Sequence, residues 1–131
     1  ARENSEALSL ADRINWLEGS WRAAADEIAR ADIVISNPPY IPSEVVRGLD
    51  PEVRDHDPIL ALDGGEDGLD AYKEIVTLCG KWMQTGAQVF LEIGFDQGIT
   101  VPELLSGQDF AEITVLKDYS GHNRVVKAIK Q

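Results

Sequence analysis

The 131-residue chain holds one cysteine, Cys79, and one methionine, Met83. A lone thiol closes no internal disulfide and supplies no cysteine-rich zinc site, which points to a reducing compartment, the cytoplasm. Basic residues are scarce as well: 12 Lys and Arg stand against 23 Asp and Glu, a net charge of −11. Phosphate backbones are held mainly through Lys and Arg, so this balance argues against a long nucleic-acid interface. No apolar run approaches the roughly 20 residues that span a bilayer, and no signal-peptide pattern opens the chain. Only two histidines are present, His56 and His122. Neither has ligand-like neighbours in sequence, so both read as surface residues. What remains, 44% hydrophobic and 27% charged, is ordinary for a soluble globular protein and long enough for one domain.

The informative stretch is Asp32-Ile33-Val34-Ile35-Ser36-Asn37-Pro38-Pro39-Tyr40. Ile33 to Ser36 is a short, β-branched apolar run without alternation, the pattern of a strand buried on both faces of a parallel sheet. The run stops on two prolines, which donate no backbone hydrogen bond, and Asn37 is held out of the helical region by the ring that follows it. A stiff, extended loop therefore leaves the carboxyl end of a strand, where open α/β sheets bind ligands. Asn37 brings an amide, Pro38 and Pro39 bring carbonyls in fixed directions, and Tyr40 brings a flat ring with a polar tip. Such a set suits a planar amide or amino group: two acceptors take its two N–H protons while the ring covers its face. The alternative on these four residues alone is a proline-rich turn with a locally bonded Asn.

The surrounding stretches tip that balance. The strand with Asn37-Pro38-Pro39-Tyr40 resembles the catalytic loop of class I methyltransferases that methylate amino nitrogens from S-adenosylmethionine. Ile41 follows directly, then Val53-Arg54, Asp57-Pro58 and Ala61-Leu62. Next come Gly64-Gly65 with Asp67-Gly68-Leu69, Leu91-Glu92-Ile93-Gly94, and Lys117-Asp118 with Gly121 and Arg124-Val125-Val126. Together these resemble the C-terminal part of the peptide-chain release factor N5-glutamine methyltransferase family (the HemK/PrmC type), over essentially the whole chain. The resemblance implies a Rossmann-like α/β sheet with an antiparallel C-terminal hairpin. It implies Asn37, Pro38 and Tyr40 as catalytic residues and Asn37, Pro38, Pro39 and Tyr40 as the substrate grip. Trp21 and Asn37 would touch S-adenosylmethionine, the protein substrate would be a release factor, and no metal is implied. Asn-Pro-Pro-Tyr alone is shared with adenine-N6 methyltransferases, the rival that the charge disfavours. A third reading is a non-catalytic fragment that only folds or associates.

Along the chain, residues 1–11 read as the end of a helix with Ala7, Leu8 and Leu10 as its apolar stripe. Ile14–Glu18 reads as a strand. Ser20 caps a helix whose stripe is Trp21, Ala24, Ala25, Ile28 and Ala29. Trp21 reads either as that helix's core anchor or, by resemblance, as the adenine contact. Residues 41–67, with their prolines and paired glycines, read as one long irregular loop. Its carboxylates (Glu44, Asp50, Glu52, Asp55, Asp57, Asp63, Glu66 and Asp67) miss the EF-hand spacing and read as solvated. Asp67 is expected to cap a helix reaching Met83, with Tyr72, Ile75, Val76, Cys79 and Met83 on one face. Ala87–Ile93 is the next strand, and Glu92 faces either the cleft or a backbone amide. Thr100 and Glu103 suggest a capping box, with Pro102 tolerated in the first turn. Strands Ile113–Lys117 and Arg124–Ile129, joined by six residues, must be antiparallel.

Two elements of a complete enzyme of this type are not found: a glycine-rich turn after the first strand, and an acidic residue for the ribose after the second. The glycines at 64, 65 and 68 sit in an irregular loop instead. The chain is therefore expected to be the C-terminal portion of one methyltransferase domain, inactive by itself, with an incomplete cofactor site. Lacking a neighbour on one side, the Ile33 strand is expected to pair with a second copy as a homodimer.

Overall fold

The apolar run at Ile33 does form a strand, but it lies at the edge of its sheet. The structure, a computed structural model, describes residues 1–28, 30–49 and 58–131. Ala29, Asp50, Pro51, Glu52, Val53-Arg54, Asp55, His56 and Asp57, which entered the sequence reading, lie outside the described residues. The elements in chain order are α1 (Arg2–Ala7), a 3-10 turn (Ala11–Arg13), α2 (Trp21–Ala24), β1 (Ala31–Ser36), α3 (Ser43–Arg47) and α4 (Ile59–Leu62). There follow α5 (Asp70–Trp82), β2 (Met83–Glu92), α6 (Thr100–Ser106), β3 (Phe110–Lys117) and β4 (Asn123–Lys130).

The four strands form one sheet in the order β1-β2-β4-β3. β1 and β2 are parallel, with Ile33 opposite Gln88 and Ser36 opposite Leu91. β4 runs antiparallel to both β2 and β3, so the expected final hairpin on a parallel pair is present. Alternation along β2 and β4 sends Val89, Leu91, Val126 and Ala128 to one face, where they are fully buried. There they meet Tyr72, Ile75, Val76 and Cys79 of α5 and Val101 and Leu105 of α6. The inward stripe read for α5 is the core. Burial pushes the Cys79 thiol up to about 11, so it packs as a small apolar group.

Several expectations need correction. β1 is not buried on both faces: Ile33 is 57% and Ile35 78% exposed, because α5 and α6 cover the opposite face of the sheet. Ile14–Glu18 is not a strand; Ile14 and Leu17 are part-exposed, and the described sheet offers them no partner. In α1 the inward residue is Ser5, whose hydroxyl donates to the Arg2 carbonyl at 2.7 Å, while Leu8 is exposed. Residues 41–67 are not wholly irregular, since Pro42 and Pro58 each start a one-turn helix, α3 and α4. α5 begins at Asp70, with Met83 already in β2. Asp67 instead accepts from the Leu69 amide at 3.0 Å and from Lys73 Nζ at 2.8 Å. β2 starts four residues earlier than expected because Met83 finds a pairing partner in Ala31. Thr100 is the first residue of α6, preceded by an Ile99 cap without a side-chain bond, so the capping box does not form. The Ser20 cap does, accepting from the Ala23 amide at 3.2 Å.

Candidate functional site

At the carboxyl end of β1 the chain enters Asn37-Pro38-Pro39-Tyr40. Pro38 is fully buried, Asn37 is exposed, and Pro39 and Tyr40 are half-buried. The proline rings fix two consecutive φ angles, and the segment after them is held from three sides. The Ile41 amide donates to the Leu62 carbonyl at 3.0 Å, and the Ile41 carbonyl accepts from the Gly64 amide at 2.9 Å. One residue on, the Ser43 amide donates to the Gly65 carbonyl at 2.9 Å. Asp63 closes this clasp, accepting from the Ser43 hydroxyl at 2.6 Å and the Gly65 amide at 2.9 Å. The Ser43 hydrogen bond, followed by that from Gly65, holds the Asp63 carboxyl below its ordinary range.

The paired glycines exist for this contact. A side chain on Gly64 would sit 2.9 Å from the Pro39 carbonyl, and one on Gly68, whose φ is +72°, would sit 2.5 Å from the Tyr40 carbonyl. Only backbone fits between the two loops. Gly64–Gly68 is therefore a support for the Asn37 loop, which accounts for both motifs appearing in one sequence.

Behind the loop lies a buried polar centre that the sequence reading missed. Gln97 is 6% exposed. Its amide nitrogen donates to the carbonyls of Tyr40 (3.3 Å) and Gly68 (3.1 Å). Its amide oxygen accepts from the Gly94 amide at 3.0 Å and faces the Tyr72 hydroxyl at 3.2 Å. Tyr72, wholly buried, gives its single hydroxyl proton to the nearer acceptor, the Glu92 carbonyl at 2.7 Å. Burial raises the pKa of this phenol, with Tyr40 and Glu92 adding to the effect, so it stays a neutral donor. The available signal was a glutamine between Gly94 and Gly98, directly after a buried strand.

The loop borders three hollows. One of about 300 Å³ is lined by Asn37, Pro38, Tyr40 and Ile41 with Ala61 and Leu62 of α4. A second, about 150 Å³, lies on the open face of the sheet between Asn37, Ile35, Phe90 and Glu92. Of the two roles left open for Glu92, its side chain lines this hollow. The third, about 350 Å³, is apolar, formed by Tyr40, Pro42, Val45, Leu49 and Phe95 beside Asp96.

Trp21 does not anchor the core; the residue is 36% exposed. α2 is tied to α5 by the Arg22–Glu74 ion pair at 3.0 Å and by Trp82 Nε1 donating to the Ala25 carbonyl at 3.3 Å. Trp21 lines none of the three hollows at the loop. His122 is exposed, its ring edge-on to Phe95. Among the described residues, no three His, Cys, Asp or Glu side chains gather as a metal site. Asp63 and Asp67 are spent on clasping loops.

No family model matches the chain. Curated relatives named release factor glutamine methyltransferase match it closely. That of Caulobacter vibrioides is 44% identical over 99% of this chain and 45% of its own length. That of Agrobacterium fabrum is 40% identical over 96% and 43%. The chain thus spans less than half the length of these relatives. Among solved structures, the release factor-specific protein-(glutamine-N5) methyltransferase of Alicyclobacillus acidocaldarius is 25% identical, with a TM-score of 0.51 over 83% of this chain and 54% of its own. TrmN of Thermus thermophilus, 19% identical, shares the fold at a TM-score of 0.59 over 99% of this chain and 32% of its own. The chain has a class I methyltransferase fold and is related over nearly all its residues to the release factor glutamine methyltransferases.

Proposed function

We propose that the Asn37–Tyr40 loop grips the side-chain amide of a glutamine in a peptide-chain release factor, for transfer of a methyl group to its nitrogen. The observation that carries this reading is the loop itself. An exposed Asn37 stands at the carboxyl end of β1, on a segment pinned by the Gly64 loop and Gln97. The Asn37 side-chain oxygen and the Pro38 carbonyl accept the two amide protons, and Tyr40 packs on the amide plane beside Pro39. Two acceptors on one NH2 group keep electron density on a nitrogen that is otherwise a poor nucleophile. As the N–CH3 bond forms and the sulfonium C–S bond breaks, one of the two held protons leaves the nitrogen for solvent by way of its acceptor; positioning is the main catalytic contribution of these residues.

S-adenosylmethionine, when bound, supplies the methyl group as an activated sulfonium. The described residues fit it only in part. The exposed Trp21 ring suits adenine stacking, and Asn37 suits a contact near the reacting centre. The two glycines after β2 offer no cradle: a side chain on Gly94 would meet Asp96 and Gln97, and one on Gly98 would meet Asn123. No step is therefore routed through the cofactor. The 131-residue chain alone should bind it with worse than millimolar affinity, since adenine stacking contributes about 1–3 kcal/mol. Calorimetric titration checks this, and micromolar binding refutes the incomplete site. The buried lone thiol fits a cytoplasmic setting.

The test of the function is transfer of a labelled methyl group by the full-length gene product that contains this chain. A release factor, and the same factor with its modified glutamine changed to alanine, serve as acceptors. Label on the glutamine nitrogen only in the first is the expected result. Label retained in the second, or none in either, refutes the reading.

A further inference from the structure

We propose that Gln97 is a positioning residue for the Asn37–Tyr40 loop, setting the direction of the acceptors that hold the substrate amide. The proposal rests on the reading of that loop as the amide-binding element. A primary amide has two donor hydrogens and two strong acceptor directions. In Gln97 both N–H donors meet carbonyls, of Tyr40 in the site loop and Gly68 in the glycine loop, while the oxygen accepts from the Gly94 amide after β2 and lies 3.2 Å from the Tyr72 hydroxyl of α5. Two carbonyls on one side and the Gly94 N–H on the other fix which end is nitrogen.

The backbone of Gln97 is itself fixed, donating to Gly94 and accepting from Val101 inside α6. It is a rigid post, and what it holds is specific. The peptide unit between Tyr40 and Ile41 is pinned at its oxygen by Gln97 and at its nitrogen by Leu62. That fixes ψ of Tyr40. Upstream, Pro38 and Pro39 have φ locked by their rings. Between these constraints, Asn37, Pro38 and Tyr40 retain little backbone freedom, so their acceptors are aimed before substrate arrives. An apolar residue of similar size could fill the space. It would leave the Tyr40 and Gly68 carbonyls unpartnered and the loop free to turn.

Gln97→Glu separates positioning from bulk. The carboxylate keeps the acceptor for Gly94 but replaces the NH2 group and its two donors by one oxygen facing two carbonyls. When protonated it regains one donor, and burial raises the pH at which this happens. In the full-length gene product, kcat of the variant should fall on the order of tenfold at pH 8 and recover toward wild type as pH drops to 6. KM for S-adenosylmethionine should stay within about twofold of wild type. The wild type should show no such recovery. In parallel, hydrogen exchange followed by NMR should show the Ile41 and Gly64 amides, bonded to the Leu62 and Ile41 carbonyls, losing protection at pH 8 while Val89 and Val126 keep theirs. A pH-independent kcat near wild type, or loss of protection in loop and sheet together, overturns the proposal. A wild-type protein that methylates no glutamine sinks the functional reading alone, and the exchange experiment then decides the role of Gln97.

Discussion

The side chain on which the site turns is Asn37, exposed where its neighbour Pro38 is fully buried. A buried proline followed by a second one holds the backbone, so the exposed amide is displayed without being free to wander. In the proposed reaction its oxygen is used most strongly as the glutamine nitrogen gains positive character. Asn37→Ala should then cost on the order of 3 kcal/mol of barrier, about a hundredfold in the single-turnover rate of a full-length protein that contains this chain. Binding of S-adenosylmethionine should change less. Single-turnover rates near wild type would remove Asn37 from the role given to it. The placement of Asn37 on a loop leaving a strand was legible from sequence because two prolines after a β-branched run leave few conformations open. Gln97 was not, because its partners Tyr40, Gly68 and Tyr72 lie 25 to 57 positions away in the chain. Nothing local to Gln97 announces such partners.

The support for that side chain is a contact between two loops. Gly68 adopts a φ of +72° with the Tyr40 carbonyl where its side chain would be. Gly68→Ala combines a left-handed backbone with a clash against a carbonyl that Gln97 already holds. It should destabilise the chain by about 2 kcal/mol or more, lowering Tm by several degrees. A thermal melt within one degree of wild type would show that the loops are not in contact. Asp63 clasps the same junction, with its carboxyl held below the ordinary value of 3.8 by Ser43 and Gly65. A depressed carboxyl contributes stability above its unfolded value and loses it as pH falls through the folded one. The clasp should therefore open only below pH 4, seen by NMR as joint shifts of the Ser43 and Gly65 amides. In Asp63→Asn that acid transition should vanish. Elements with strong periodicity, such as α5 and the β3–β4 hairpin, were readable from sequence because local spacing dictates them. The Ile14–Glu18 strand and the two-sided burial of β1 failed for a different reason. A strand's state is set by what lies beside it, and α5 and α6 pack on the face of the sheet opposite Ile33 and Ile35.

At the scale of the whole molecule, the unresolved tension is between an uncovered sheet and a large negative charge. β1 is the end strand of the described sheet, and the open face beside that edge bears Ile33 and Ile35, 57% and 78% exposed. Natural sheets blunt such an edge with charge, proline or a cover. Here Asp32 and Pro38 stand only at its ends. Opposing association is a charge of −11 per chain, so two copies bring −22 together. At low salt that repulsion acts over tens of ångströms; at physiological ionic strength it is screened beyond about 8 Å. Strand pairing along β1 buries apolar side chains and satisfies backbone groups at short range, where screening matters little. The 131-residue chain should therefore be a dimer or larger at micromolar concentration, with the associated fraction rising as salt rises. Ile35→Glu should reverse this by placing a charge in the middle of the contact, while leaving the buried face of the sheet untouched. Light scattering coupled to size exclusion should report at least twice 14.4 kDa for the wild type in moderate salt, and close to the single mass for the variant. A wild-type chain that elutes as a clean monomer at every salt concentration would show that the edge is closed within one copy.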